Sequence, residues 1–113
     1  MPRYVPARGE IVWLDFEPTR GKEIGKYRPA LVLSSANYND KTGLLICCPI
    51  STSIRGGPTE VAVTHLDTSC VVASNLVHTL DWRQRKIKKA ASADMTLVNE
   101  VLARLLPLIG AQA

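Results

Sequence analysis

The chain has 113 residues, with 14 Lys and Arg against 10 Asp and Glu, for a net charge of +4. It is 46% apolar and 21% charged, and no stretch approaches the ~18 consecutive apolar residues that a membrane helix requires. That length excludes a second domain and is enough for one, spanning 1–113, to bury roughly two thirds of its unfolded surface. The opening Met1-Pro2-Arg3-Tyr4-Val5-Pro6-Ala7-Arg8 carries no apolar core of the signal-peptide type, so a cytoplasmic protein is expected.

From Gly9 to Thr64 short apolar runs alternate with turn chemistry, the pattern of a small β unit. Glu10 to Phe16 sets Ile11, Trp13 and Asp15 against Val12, Leu14 and Phe16, which predicts a strand with one deeply buried face. Pro29 to Ser34 and Leu44 to Ile50 are almost continuously apolar, as central strands covered on both sides must be. Between them, Asn37 to Gly43 is dense in turn formers and predicts a hairpin connection. Glu60 to Thr64, Cys70 to Val72 and Leu76 to Leu80 supply further strands. Lys86-Ile87-Lys88 reads as an edge strand guarded by lysines. The period then lengthens to about 3.6: Leu97, Val98, Val101, Leu102, Leu105 and Leu106 form one helical stripe. Ser92 is the expected N-cap, Asp94 suits the first turn, and Pro107 with Gly110 ends the helix. The whole is mostly β with a C-terminal α-helix acting as a lid. Cys47 and Cys48 are adjacent in a strand and face opposite ways, and Cys70 stands alone; all three read as apolar filler, with no metal site or disulfide framework.

Two basic groups stand out. One is Arg20, Lys22, Lys26 and Arg28, with Glu23 as its acid; the other holds five basic residues among the seven from Arg83 to Lys89. Both suit a polyanion or a merely solvated face. Arg28 precedes Pro29 and is therefore restrained to extended geometry at the start of a strand, after a loop loosened by Gly21 and Gly25. A guanidinium held there is a two-pronged donor for phosphate or carboxylate. Tyr27 beside it is a candidate stacking surface, whereas Trp82 reads as core or dimer packing. His78 and His65 are weaker acid/base candidates.

In sequence order, Arg3-Tyr4-Val5-Pro6, Gly9-Glu10-Ile11-Val12-Trp13, Asp15-Phe16-Glu17-Pro18-Thr19, Gly21-Lys22-Glu23, Arg28-Pro29-Ala30-Leu31-Val32-Leu33-Ser34, Tyr38-Asn39-Asp40-Lys41-Thr42-Gly43 and Trp82-Arg83 resemble the MazF/PemK/Kid toxins of bacterial toxin–antitoxin pairs, nearest the chromosomal MazF type. The resemblance implies an SH3-like, CcdB-like β-barrel assembled as a homodimer. It also implies a cofactor-free, metal-independent endoribonuclease that cuts single-stranded RNA and is neutralised by a MazE-like antitoxin.

Carried over by position, the family's phosphate-gripping Arg falls on Arg28 and its hydroxyl on Ser51, where most relatives have Thr; Thr52 could share that role. Glu23 matches the family loop, while Ile24 stands where Gln is usual. The acid and base of the Kid type fall on Asn75 and Ala73 and do not transfer. Glu23 is expected to face Arg28, as base or as its orienting partner. RNA contacts are expected from Lys22, Lys26, Tyr27, Thr52, Ser53, Arg55, Asn75, His78, Arg83 and Arg85, with no metal ligands. Two rivals remain open: a CcdB-like toxin that binds a protein such as gyrase, and a noncatalytic RNA-binding barrel.

Overall fold

Period-two burial works on both faces of one curled antiparallel sheet in the computed structural model, which describes residues 4–111; Met1 to Arg3 of the N-terminal reading lie outside them. The strands are β1 (Glu10–Asp15), β2 (Tyr27–Val32), β3 (Leu44–Ser51), β4 (Glu60–Val63), β5 (Cys70–Ala73), β6 (His78–Asp81) and β7 (Lys88–Ser92). Their order is β4-β5-β3-β2-β1-β7, with β6 also pairing to β3. The first half of β3, Leu44 to Cys47, pairs with β6, and its last two residues, Ile50 and Ser51, pair with β5. This handover lets the sheet curl into a half-barrel.

Neighbouring residues of β1, β2 and β3 enter different cores. Ile11, Leu31, Cys48 and Ile50 join Val61, Val63 and Val72 beneath a C-terminal helix, α2 (Met95–Leu105). Val12, Leu14, Ala30, Val32, Leu45 and Cys47 fill the other side with Phe16, Leu80 and Trp82. The continuous apolar runs are thus central strands, as expected. Cys47 and Cys48 divide between the two cores, and burial pushes the Cys48 thiol up to about 12 and Cys47 higher still. The lid helix buries Leu97, Val98, Val101 and Leu105, at about 1.5–3 kcal/mol for each side chain removed from water.

Three local expectations need correction. Residues Asn37 to Gly43 form a helix, α1 (Ala36–Thr42), rather than a plain hairpin turn. Ser35 caps it by accepting from the Tyr38 amide, and Gly43 closes it in the left-handed region. Buried Asn39 rivets it by donating to the carbonyls of Pro6 and Ser34. Asp94, not Ser92, caps α2, accepting at Oδ1 from the Leu97 amide, because β7 continues through Ser92. The lysine-guarded edge strand starts at Lys88, since Lys86 is in the left-handed region and Ile87 turns inward. A one-turn 3-10 helix over Leu106–Ile109 follows α2, and left-handed Gly110 ends it.

Candidate active site

The loop between β1 and β2 folds back on itself through its own backbone. The Phe16 amide donates to the Lys26 carbonyl at 2.9 Å, and the Lys26 amide donates to Glu17 Oε2 at 2.9 Å. Arg85 reaches in from the segment after β6, its Nη1 donating to the carbonyls of Asp15 and Glu17, each at 2.9 Å. These bonds tie the loop base to the barrel beside Phe16 and Ile24, which pack into the second core.

Arg28 and Ser51 come to one cleft for a reason written into the strand register. β2 and β3 pair Ala30 with Pro49 and Val32 with Cys47. The pairing ends at Ala30, and the same antiparallel register continued two residues further would set Arg28 across from Ser51. Both line an open cleft of about 480 Å³ whose walls include Trp13, Pro29, Ile50, Leu66 and Cys70, with Lys26, Tyr27, Thr52, Asp67 and Thr68 around them. Ser51 also lines a second cleft, of about 420 Å³, with Lys22, Glu23, Ile24, Ser53, Arg55 and Asn75. Among the described residues it is the one common to both.

The electrostatics suit an anion. Arg28 Nε donates to the Gly25 carbonyl at 2.6 Å, and its two terminal nitrogens have no hydrogen-bond partner among the described residues. Partial burial draws the guanidinium below its ordinary pKa while the charge of Glu17 works the other way. An arginine stays protonated under either influence. Ser51 Oγ accepts from the Ser53 amide at 3.0 Å, which leaves its hydroxyl proton for a ligand. Among the described residues, no group of three or more His, Cys, Asp and Glu could hold a metal ion.

The carboxylate expected to face Arg28 is a different one. Glu23 Oε1 accepts from the Arg20 amide at 2.6 Å and forms no ion pair or hydrogen bond with Arg28; Glu17 supplies the nearby negative charge. Glu23 lies instead in the second cleft. There Glu60 is engaged by the Arg55 and Gly56 amides, whereas Glu23 Oε2 has no hydrogen-bond partner among the described residues.

The other candidates separate into two groups. Lys22, Lys26, Tyr27, Thr52, Ser53, Arg55 and Asn75 surround the two clefts. Tyr27 stacks on Trp13 with ring centres 5.5 Å apart and donates its hydroxyl to the Lys86 carbonyl, leaving a half-exposed ring edge to the cleft. His78 and the arginines after Asp81 line neither cleft. His78 Nδ1 lies 2.6 Å from the Leu76 carbonyl and its ring meets Phe16 edge-on. Arg83 is drawn to Asp40 at the far end of β3, and Arg85 is the loop's anchor. Trp82 is core, as expected, and its indole N–H donates to the Asn39 carbonyl. Sequence reasoning passed over Glu17, Trp13 and the Leu66 to Thr68 wall. Glu17 stood in a matched segment, but nothing in that segment shows which backbone amide it will grip.

Fold and site together define a small β-barrel with an open, anion-ready cleft at one end of its central strand. Residues 7–109 match the family model described as "PemK-like, MazF-like toxin of type II toxin-antitoxin system", and the chain belongs to that family. It is 37% identical over 108 residues to "Endoribonuclease toxin MazF" of Escherichia coli (strain K12), covering 96% of this chain and 97% of that one. The crystal structure of MazF (Form-I) from Deinococcus radiodurans superposes with a TM-score of 0.91 at 44% identity, over 96% of this chain and 99% of that one. A MazE-MazF crystal structure (Form-II) from the same organism gives 0.84 at 40% identity, over 97% and 100%. Among the described residues no helix is long and apolar enough to cross a membrane.

Proposed function

We propose that this protein is an endoribonuclease toxin that cuts single-stranded mRNA at short sequences, without a metal ion, and so arrests translation in the cytoplasm. The observation that carries the reading is the cleft shared by Arg28 and Ser51, with the arginine's terminal nitrogens unengaged. The named relatives are endoribonucleases, and related crystal structures hold MazF with MazE. A MazE-like antitoxin and a homodimeric assembly belong to the same proposal; sedimentation of the purified chain tests the second.

RNA carries its own nucleophile. The 2'-oxygen gives up its proton and attacks the adjacent phosphorus, the bond to the 5'-oxygen breaks as that oxygen takes a proton from water, and the products are a 2',3'-cyclic phosphate and a 5'-hydroxyl. Arg28 spans two phosphoryl oxygens as charge builds on them, and the Ser51 hydroxyl donates to the same group. Arg28 is a clamp and not a base, because its pKa exceeds ~12. Glu23 is the proposed proton acceptor for the 2'-hydroxyl, since it lines the second cleft that Ser51 shares. Lys22, Lys26, Arg55 and Asn75 hold the flanking strand. Incubating one defined single-stranded transcript with the protein in EDTA, then mapping the termini, tests this directly. New 2',3'-cyclic phosphate and 5'-hydroxyl ends are expected; an intact transcript overturns the nuclease reading.

A further inference from the structure

One peptide plane in the β1–β2 loop is gripped at both ends. Its N–H belongs to Lys26 and donates to Glu17 Oε2 at 2.9 Å; its C=O belongs to Gly25 and accepts from Arg28 Nε at 2.6 Å. A peptide unit is flat and its N–H and C=O point in opposite directions, so fixing one end aims the other. Lys26 sits at φ 72°, a conformation that side-chain-bearing residues adopt only when their surroundings impose it. Glu17 is part of what imposes it, and Glu17 is itself fixed: its amide donates to Asp15 Oδ1, its carbonyl accepts from Arg85, and its Oε1 accepts from Thr19. A Cβ on Gly25 would lie 2.5 Å from Glu17 Oε2, so only glycine lets the carboxylate come this close.

We propose that Glu17 is a positioning residue for RNA cleavage: by holding the Gly25–Lys26 peptide plane it turns the Gly25 carbonyl onto Arg28 Nε and presents the two terminal nitrogens to the cleft. The inference rests on the nuclease reading for its kinetic consequence and not for its structural one. Glu17 is exposed and lies outside both cores, so its replacement leaves the barrel folded. It touches no reacting atom; its effect reaches the phosphate only through Arg28.

The test uses the full chain with Glu17→Ala, Glu17→Gln and Arg28→Ala, alone and combined. Misaiming a group that acts in the transition state by about 1 Å costs up to ~10²-fold in rate. Glu17→Ala is therefore expected to lower kcat about 10- to 100-fold with KM changed less than about threefold. Glu17→Gln keeps an oxygen for the Lys26 amide and is expected to retain most of the rate. In the Arg28→Ala background Glu17→Ala is expected to change nothing further, as residues acting through one contact do. A second readout needs no RNA: proton exchange at Arg28 Nε, followed by 15N NMR, should be slow in the parent and in Glu17→Gln and at least tenfold faster in Glu17→Ala. Unchanged Nε exchange in Glu17→Ala, a parental cleavage rate, or multiplying effects of the Glu17 and Arg28 changes would each overturn the proposal. A parent that leaves RNA intact but loses Nε protection on Glu17→Ala would sink the nuclease reading and keep the peptide-plane coupling.

Discussion

The two ends of β3 lie seven residues, or about 23 Å, apart and use arginine in opposite ways. At the Leu44 end the contacts tie the segment after β6 to α1. Trp82 donates its indole N–H to the Asn39 carbonyl and its amide to the Gly43 carbonyl. Arg83 donates to the Asp40 carbonyl at 2.9 Å, faces that residue's carboxylate at 3.7 Å and lies 4.9 Å from the centre of the Trp82 ring. At the Ser51 end Arg28 gives one nitrogen to the loop and keeps two for the cleft. Arg83, through one side-chain nitrogen, has both a carbonyl and a carboxylate of Asp40 and so fastens a helix to a sheet, whereas Arg28, also through one nitrogen, has a carbonyl alone and lines a cleft. Residue type is the same at the two ends; an ion-paired carboxylate at one and a cleft at the other separate structure from site.

That contrast can be broken from either side. Trp82→Ala removes a buried indole and its hydrogen bond, and should cost about 3–5 kcal/mol in urea unfolding. Ser51→Ala, at the other end, should leave the unfolding midpoint nearly unchanged and slow cleavage about 10²-fold, or ~2.7 kcal/mol, the loss usual for one preorganised donor. Should Thr52→Ala show that loss in its place, the hydroxyl role moves one residue along. Glu10 sharpens the comparison through pH. Burial works to raise its carboxyl, but the Tyr4 hydroxyl, the Ala7 amide and Lys89 win and the net shift is downward. A carboxylate lowered in the folded state contributes stability above its ordinary value of about 4.5 and loses it as pH falls through the lower folded value. Glu10→Gln should therefore flatten the decline in melting temperature below about pH 4.5, with an unaltered profile arguing against those contacts. The smallest effect is expected of Arg83→Ala, whose exposed pairing contributes less than ~1 kcal/mol and whose position leaves cleavage unaltered. A large cleavage defect in that variant would erase the distinction between the two ends.

The barrel was largely legible because its signals are repeated: Ile11 against Val12, Leu31 against Val32 and Cys47 against Cys48 each show two-sided burial, and the α2 stripe shows a period of 3.6. Caps and turns were harder. Ser35, Asn39 and Gly43 serve a turn or a short helix equally well by composition, and only the buried bonds of Asn39 to Pro6 and Ser34 decide for α1. Arg28 could be singled out in advance as a pre-proline arginine, a local feature, and Ser51 only through the resemblance to the family. Glu17 and Arg85 could not. Their parts depend on backbone groups nine and 68 to 70 residues away, and no composition rule shows which amide or carbonyl will be presented there. For the same reason Glu23 was expected beside Arg28, where Glu17 lies: the two acids share one loop, and only the fold tells which of them is there.

Single-turnover cleavage of one defined single-stranded transcript in EDTA, by the parent and by Arg28→Ala, bears most directly on the arginine of the cleft. Arg28→Ala should remain folded by circular dichroism and cut about 10²–10³-fold more slowly, with Arg28→Lys scarcely better because the two-pronged fork is lost. A folded Arg28→Ala that cuts at the parental rate would contradict the phosphate clamp.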